Sequence, residues 1–166
     1  MNATLRGIVS ASLAGLLYSG MAGAQTKTVS TEELARQSEV VAVGKVTAMK
    51  SEWDQTKTRI VTHVTMAVGE YLKGSAGNVM TITTPGGEVD GVGEWYSHSA
   101  RFQKDEDVVV FAERDKKGNY RVAGGHQGKL SITRGEGTSL AHVSEQTTLD
   151  DFKAQIKRAL NVQQIK

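Results

Sequence analysis

The 166-residue chain has no cysteine, a single proline and few aromatic side chains (Trp 2, Tyr 4, Phe 3). Without cysteine no disulfide can staple the fold, no thiolate can act as nucleophile or zinc ligand, and no lipid can be attached to a cysteine behind an export signal. Formal charge is close to balance, 20 Lys plus Arg against 18 Asp plus Glu. Such a chain has no basic field for a phosphate backbone, and with so few aromatics it also lacks stacking platforms, so nucleic acid is excluded as a partner. No apolar run approaches the roughly 20 residues that a spanning helix needs.

What is present begins with an export signal. Met1 to Arg6 carry Arg6 and no acid, Gly7 to Leu17 are apolar, and small residues end in Ala22-Gly23-Ala24. That is the pattern of a cleavable secretory leader, so the expectation is a signal peptide over residues 1–24 with cleavage between Ala24 and Gln25. The remainder, 166 less 24 or 142 residues, is one domain of ordinary size over 25–166, able to bury a core without cross-links. With Arg6 removed, 19 basic residues face 18 acidic ones, so net charge does not point to a ligand. Export without disulfides fits a bacterial periplasm or the medium, with no membrane span in the mature chain.

The mature sequence alternates in strand fashion between two helical ends. Ser30 reads as an N-cap with Glu33 as its reciprocal partner, opening a short helix that closes by about Ser38. Glu39 to Met49 is a buried strand bent or bulged at Gly44. Ser51 to Lys57 reads as a polar hairpin connection. In a second long strand, Arg59 to Leu72, Ile60, Thr62, Val64, Met66 and Val68 share one face. Val79 to Thr83 is a third strand, stopped by Pro85-Gly86-Gly87. Residues 85–101 form a long loop with a short strand within 89–96, and Asp107 to Ala112, Tyr120 to Ala123 and Lys129 to Thr133 are further strands. Residues 134–147 read as a polar connection. Thr148 caps a C-terminal helix over about 148–163, whose Leu149, Phe152, Ile156, Ala159 and Leu160 form one apolar face. A mainly β fold follows, a small OB-like barrel with a helix before and after, or alternatively a two-sheet sandwich.

Glu39-Val40-Val41-Ala42-Val43-Gly44-Lys45-Val46, a polar hairpin, and Thr62 to Gly74 ending Leu72-Lys73-Gly74 resemble the opening hairpin of netrin-like domains, the group that includes tissue inhibitors of metalloproteinases. The order strand, strand, Lys-Gly, Pro85-Gly86-Gly87, buried strand, Gln127-Gly128 also resembles a broad set of uncharacterised secreted bacterial proteins over about 30–133. The resemblance implies an OB-type barrel. The inhibitors of that group place an N-terminal cysteine on the catalytic zinc of their target; here the expected mature terminus is Gln25, so their mechanism does not transfer.

Chemistry-bearing residues are sparse. His63, His98, His126 and His142 show no ligand spacing in sequence, although a barrel could bring the loops of His98 and His126 together to hold zinc or copper. Glu88, Asp90 and Glu94 share a glycine-rich loop without the ordered series of a calcium hand. Ser97-His98-Ser99 sets hydroxyls beside an imidazole, with neither a nucleophile elbow nor an orienting acid implied. The glycines at 86–93 precede no Lys-Ser/Thr and no helix, so they form no phosphate loop. The aromatic pair Trp95-Tyr96, with Trp53 in the first hairpin, carries the preferred expectation: a non-enzymatic binding or accessory domain for a protein or surface glycan, with no cofactor. The alternatives are a small secreted hydrolase or metal-dependent enzyme using His98, His126 and the acids of 88–94, and a protease inhibitor acting through a loop.

Overall fold

The computed structural model describes residues 28–161 other than 136 and 138. The leader at 1–24, its cleavage point at Ala24 and Gln25, and the last residues of the expected C-terminal helix lie outside the described residues. Among the described residues ten strands and two α-helices follow in the order α1 (Thr31–Gln37), β1 (Val40–Trp53), β2 (Ile60–Lys73), β3 (Val79–Pro85), β4 (Gly87–Val89), β5 (Val92–Glu94), β6 (Asp107–Arg114), β7 (Tyr120–Val122), a 3-10 turn (Gly125–Gly128), β8 (Lys129–Arg134), β9 (Ala141–Ser144), β10 (Thr147–Thr148) and α2 (Leu149–Asn161). The fold is mainly β, as expected. Among the described residues no helix is long and apolar enough to cross a membrane.

Five strands close into a ring. β1 pairs with β2, β2 with β3, β3 with β7, β7 with β6, and β6 again with β1. Every pairing in the ring is antiparallel except β3 with β7, which run parallel through Ile82 and Tyr120. β8 adds to β6 outside the ring and carries β9 and β10 with it, while β4 and β5 form a separate two-stranded ribbon.

The continuous apolar runs of β1 and β6 follow from this arrangement. Alternate residues of β6 belong to two cores: Val108, Val110 and Ala112 meet Val64, Met66, Met80 and Ile82 inside the ring, whereas Val109 and Phe111 face outward. The outward residues pack with Val41, Leu34, Ile132, Phe152 and Ile156 beneath α1 and α2. Phe111 and Phe152 meet edge to face with ring centroids 6.3 Å apart. A strand buried on both faces reads as an unbroken hydrophobic run, but β2, with only one deeply buried face, alternates.

Helix α1 is fixed at both ends. The Ser30 hydroxyl accepts from the Glu33 N–H at 3.2 Å, as expected, but the Glu33 carboxylate receives Arg36 and Gln37 side chains. At the other end the Lys73 ammonium donates to the carbonyls of Ala35, Arg36 and Ser38 at 2.9, 2.8 and 2.6 Å. A cation on the orphan carbonyls of a helix C-terminus is stabilising. Gly74 then turns with φ +65 where a Cβ would lie 2.5 Å from the Glu39 carbonyl oxygen. The Lys-Gly pair is therefore a structural joint between β2 and α1.

Three expectations change. β1 does not end at Met49 but continues to Trp53, and the turn is confined to residues 54–59, where Asp54 accepts from Thr56, Thr58 and Arg59. Residues 134–147 are not a plain connection: β9 and β10 form a short hairpin that pairs with β8. The loop at 85–101 contains the β4–β5 ribbon, turned at Asp90 and Gly91, both at positive φ.

Candidate binding cleft

The cleft beside Trp95 arises from a break in strand alternation. In β1, Gly44 and Val46 stand opposite Val68 and Met66, but Ala48 stands opposite Thr65 and Met49 opposite Val64. Thr47 is therefore an extra residue, a bulge whose hydroxyl donates to the Thr65 carbonyl at 3.2 Å. After it the facing parity of β1 is reversed. Met49 and Ser51, not Ala48 and Lys50, share the face of Val64 and Thr62 and line the cleft.

The opposite wall begins where β3 ends. Beyond Pro85 the Gly86 N–H still donates to the Ile60 carbonyl at 2.8 Å, holding the chain beside β2. Gly86 and Gly87 have φ +93 and +137. A Cβ on Gly87 would lie 2.4 Å from both the Ser51 and Thr62 hydroxyls, so only glycine fits. Those hydroxyls are 2.9 Å apart, and that of Thr62 donates to the Gly86 carbonyl at 2.7 Å. Thr84 and Ser99 hydroxyls, 2.8 Å apart, join β3 to the segment leading to Ala100.

Glu94 fastens the ribbon to the ring. One carboxylate oxygen accepts from the Ile60 N–H at 2.6 Å and the other from the Tyr96 hydroxyl at 2.9 Å. The bond to Glu94 is the main cause that raises the Tyr96 phenol above its ordinary pKa. Between these two anchored residues Trp95 is left 65% exposed, with the Arg101 guanidinium 5.4 Å from its ring centroid. The resulting cleft, about 450 Å³, is lined by Met49, Pro85, Trp95, Tyr96, Arg101 and Phe102 together with the hydroxyls above. An exposed indole over a floor of hydroxyls, with one cation at its edge, suits a ligand having a flat apolar face and polar rim.

The other expected residues lie elsewhere. Trp53, 39% exposed, lines a second groove of about 780 Å³ with Glu52, His63, Arg114 and Arg121, and is not part of the Trp95 cleft. His63 is held on β2 by Thr83 at 3.1 Å and Glu52 at 3.2 Å. Lys50 is the main cause that lowers the Glu52 pKa. His142 lies half-buried on β9, far in the ladder from the other histidines. His98 and His126 are brought together, with ring centroids 6.0 Å apart. Among the described residues no third His, Cys, Asp or Glu joins them in a metal-holding group. Of the loop acids, Glu94 is used as the latch, and Glu88 and Asp90 are exposed. The Ser99 hydroxyl is engaged with Thr84 and the Pro85 carbonyl, not with His98.

Sequence reasoning did not find Met49, Arg101, Phe102 or the latch role of Glu94. The bulge at Thr47 was the one missing link for Met49; no glycine or proline marks it, and Val46 and Met49, three apart, do not fit one face of an unbroken strand. No protein-family model matches the chain, and no curated protein matches it.

Proposed function

We propose that the chain is an exported, non-enzymatic binding or accessory domain that engages a surface glycan or another exported protein through the cleft at Trp95 and Tyr96. Export rests on the leader-like residues 1–24 and places the mature protein in the periplasm or medium. The architecture we propose is OB-like and netrin-like. The closed order β1-β2-β3-β7-β6, with a parallel β3–β7 contact, supports that reading over a two-sheet sandwich. A small barrel of this kind leaves its recognition to loops at one end, here the ribbon and the segment up to Phe102.

The observation that carries the reading is the 65% exposure of Trp95 at a built cleft. A large aromatic kept out of the core, while Glu94 and Tyr96 on either side are anchored, is arranged to meet something else. The test is a screen of the mature protein against immobilised glycans and exported proteins, followed by Trp95→Ala. The substitution removes no core contact, so folding should be unchanged while affinity for a captured ligand falls by about tenfold or more. Undiminished binding by a folded Trp95→Ala protein would remove the cleft from the proposal.

A further inference from the structure

We propose that His98 and His126 together bind one divalent transition-metal ion, copper(II) in preference to zinc(II), at a surface site distinct from the cleft floor. The two residues are 28 positions apart in sequence, and the backbone itself sets them side by side. The His126 N–H donates to the His98 carbonyl at 2.9 Å. Gly125 approaches that carbonyl at φ +61, and a Cβ on it would lie 2.3 Å from the His98 oxygen. The close approach therefore depends on glycine at 125 and is fixed by a direct bond between the two histidines.

The side chains are available to a ligand. Both histidines are exposed, and among the described residues neither imidazole is engaged by a hydrogen bond or an ion pair; their one recorded interaction is the tilted ring contact at 6.0 Å, with 33° between planes. Two imidazoles sharing an ion through bonds of about 2.0–2.1 Å have ring centres about 5–6 Å apart, close to what is found. Rotation of exposed side chains can bring a nitrogen from each to one point without disturbing the core. Nothing else nearby is needed as a protein donor: with two imidazoles bound, the remaining coordination positions fall to water. A neutral nitrogen pair suits copper, nickel and zinc over calcium or magnesium, and affinity rises to a maximum at copper. No step of chemistry is implied beyond binding, in which neutral imidazole donates a lone pair to the ion.

The test uses the untagged mature chain titrated with copper(II) and, separately, zinc(II) by calorimetry, with electron paramagnetic resonance of the copper form. One copper per chain is expected, with spectral coupling to two imidazole nitrogens and weaker zinc binding. His98→Gln and His126→Gln should each lower copper affinity by about 100-fold and leave one coupled nitrogen, and the double variant should bind more weakly still and lose the imidazole coupling. His63→Gln and His142→Gln should bind as the parent does. Because both histidines of the pair are exposed, the Gln variants test binding without unfolding the protein. Copper affinity unchanged in the double variant, or lost in His63→Gln or His142→Gln, would overturn the assignment and leave only adventitious binding elsewhere on the chain.

Discussion

Replacing Glu94 with alanine tests how the ribbon is held to the ring. Its carboxylate accepts from the Ile60 N–H at 2.6 Å and the Tyr96 hydroxyl at 2.9 Å. Ile60 is fully buried, so its N–H has no route to water once the carboxylate is gone. Leaving a buried donor unpaired costs about 1–3 kcal/mol, whereas the half-exposed Tyr96 hydroxyl can turn to solvent at little cost. We therefore expect Glu94→Ala to destabilise the protein by about 2 kcal/mol, and Glu94→Gln, which keeps an acceptor, by about 1 kcal/mol. Urea denaturation gives the first quantity. Tyr96 supplies a second readout, because the bond to Glu94 is the main cause of its raised pKa. Its ultraviolet titration should move down towards the ordinary phenol value in Glu94→Gln. With Trp53→Phe as background, the fluorescence anisotropy of Trp95 should fall in Glu94→Ala as the ribbon loosens. A stability change under about 0.5 kcal/mol, within the range of ordinary surface substitutions, together with an unmoved Tyr96 titration, would refute the latch.

Three further perturbations address the rest of the frame. Phe152→Ala removes a buried ring packed edge-on against Phe111 at 6.3 Å and should cost about 3–5 kcal/mol in urea denaturation; a loss below about 1 kcal/mol would mean that α2 is not part of the cooperative core. Lys73→Met keeps the apolar stem but withdraws the ammonium from the Ala35, Arg36 and Ser38 carbonyls, and should cost about 2 kcal/mol with a selective rise in hydrogen exchange at α1. Glu70, on β2, pairs with Lys153 and Lys157 of α2 at 2.8 and 3.0 Å, and these two partners, Lys153 first, lower its pKa below the ordinary 4.5. A carboxylate whose folded pKa is depressed stabilises fully above its unfolded pKa and loses that contribution as pH falls through the folded value. Thermal melts between pH 6 and about 3 should thus show Glu70→Gln to be less stable than the parent near pH 6 and converging with it in acid, by under about 1 kcal/mol because the site is partly solvated. A gap that widened as pH fell would reverse the sign and exclude the pairing.

Much of the frame was legible because burial writes itself into the sequence. The runs Val40–Val43 and Val108–Ala112 announce strands covered on both faces, and the Leu149, Phe152, Ile156 spacing announces the helix that covers one of them. What escaped reading was built from polar residues. Lys50, Ser51 and Glu52 extend β1 beyond its buried part, where the strand pairs with β2 alone and is mostly exposed. β9 alternates Ala141 and Val143, packed on the outer core, with His142 and exposed Ser144, but four residues are too few for that period to stand out, and β10 is only Thr147–Thr148. Polar strands look like loops when burial is the only signal.

The motifs that carry the family resemblance also turn out to be joints. Gly74 nearly touches the Glu39 carbonyl, Gly87 fits against the Ser51 and Thr62 hydroxyls, and a Cβ on Gly128 would lie 1.9 Å from the Ala123 oxygen. Gln127 beside it accepts from the Val29 N–H at 3.0 Å, pinning the strand-like approach to α1. Such positions specify how segments pass one another, which is the same whatever the domain binds. The cleft is specified differently. Met49 comes from β1, Pro85 from the end of β3, Trp95 from beyond β5, and Arg101 from the following segment. No spacing in the chain joins them; the extra residue at Thr47 does, by reversing the facing parity of β1 so that Met49 and Ser51 reach the side on which the ribbon folds back. A strict period of two would have placed Ala48 and Lys50 there instead. A lysine in that position would put a charge beside Thr62 and Phe102 where the cleft now offers a thioether and a hydroxyl, so one inserted residue decides between an uncharged cleft floor and a charged one.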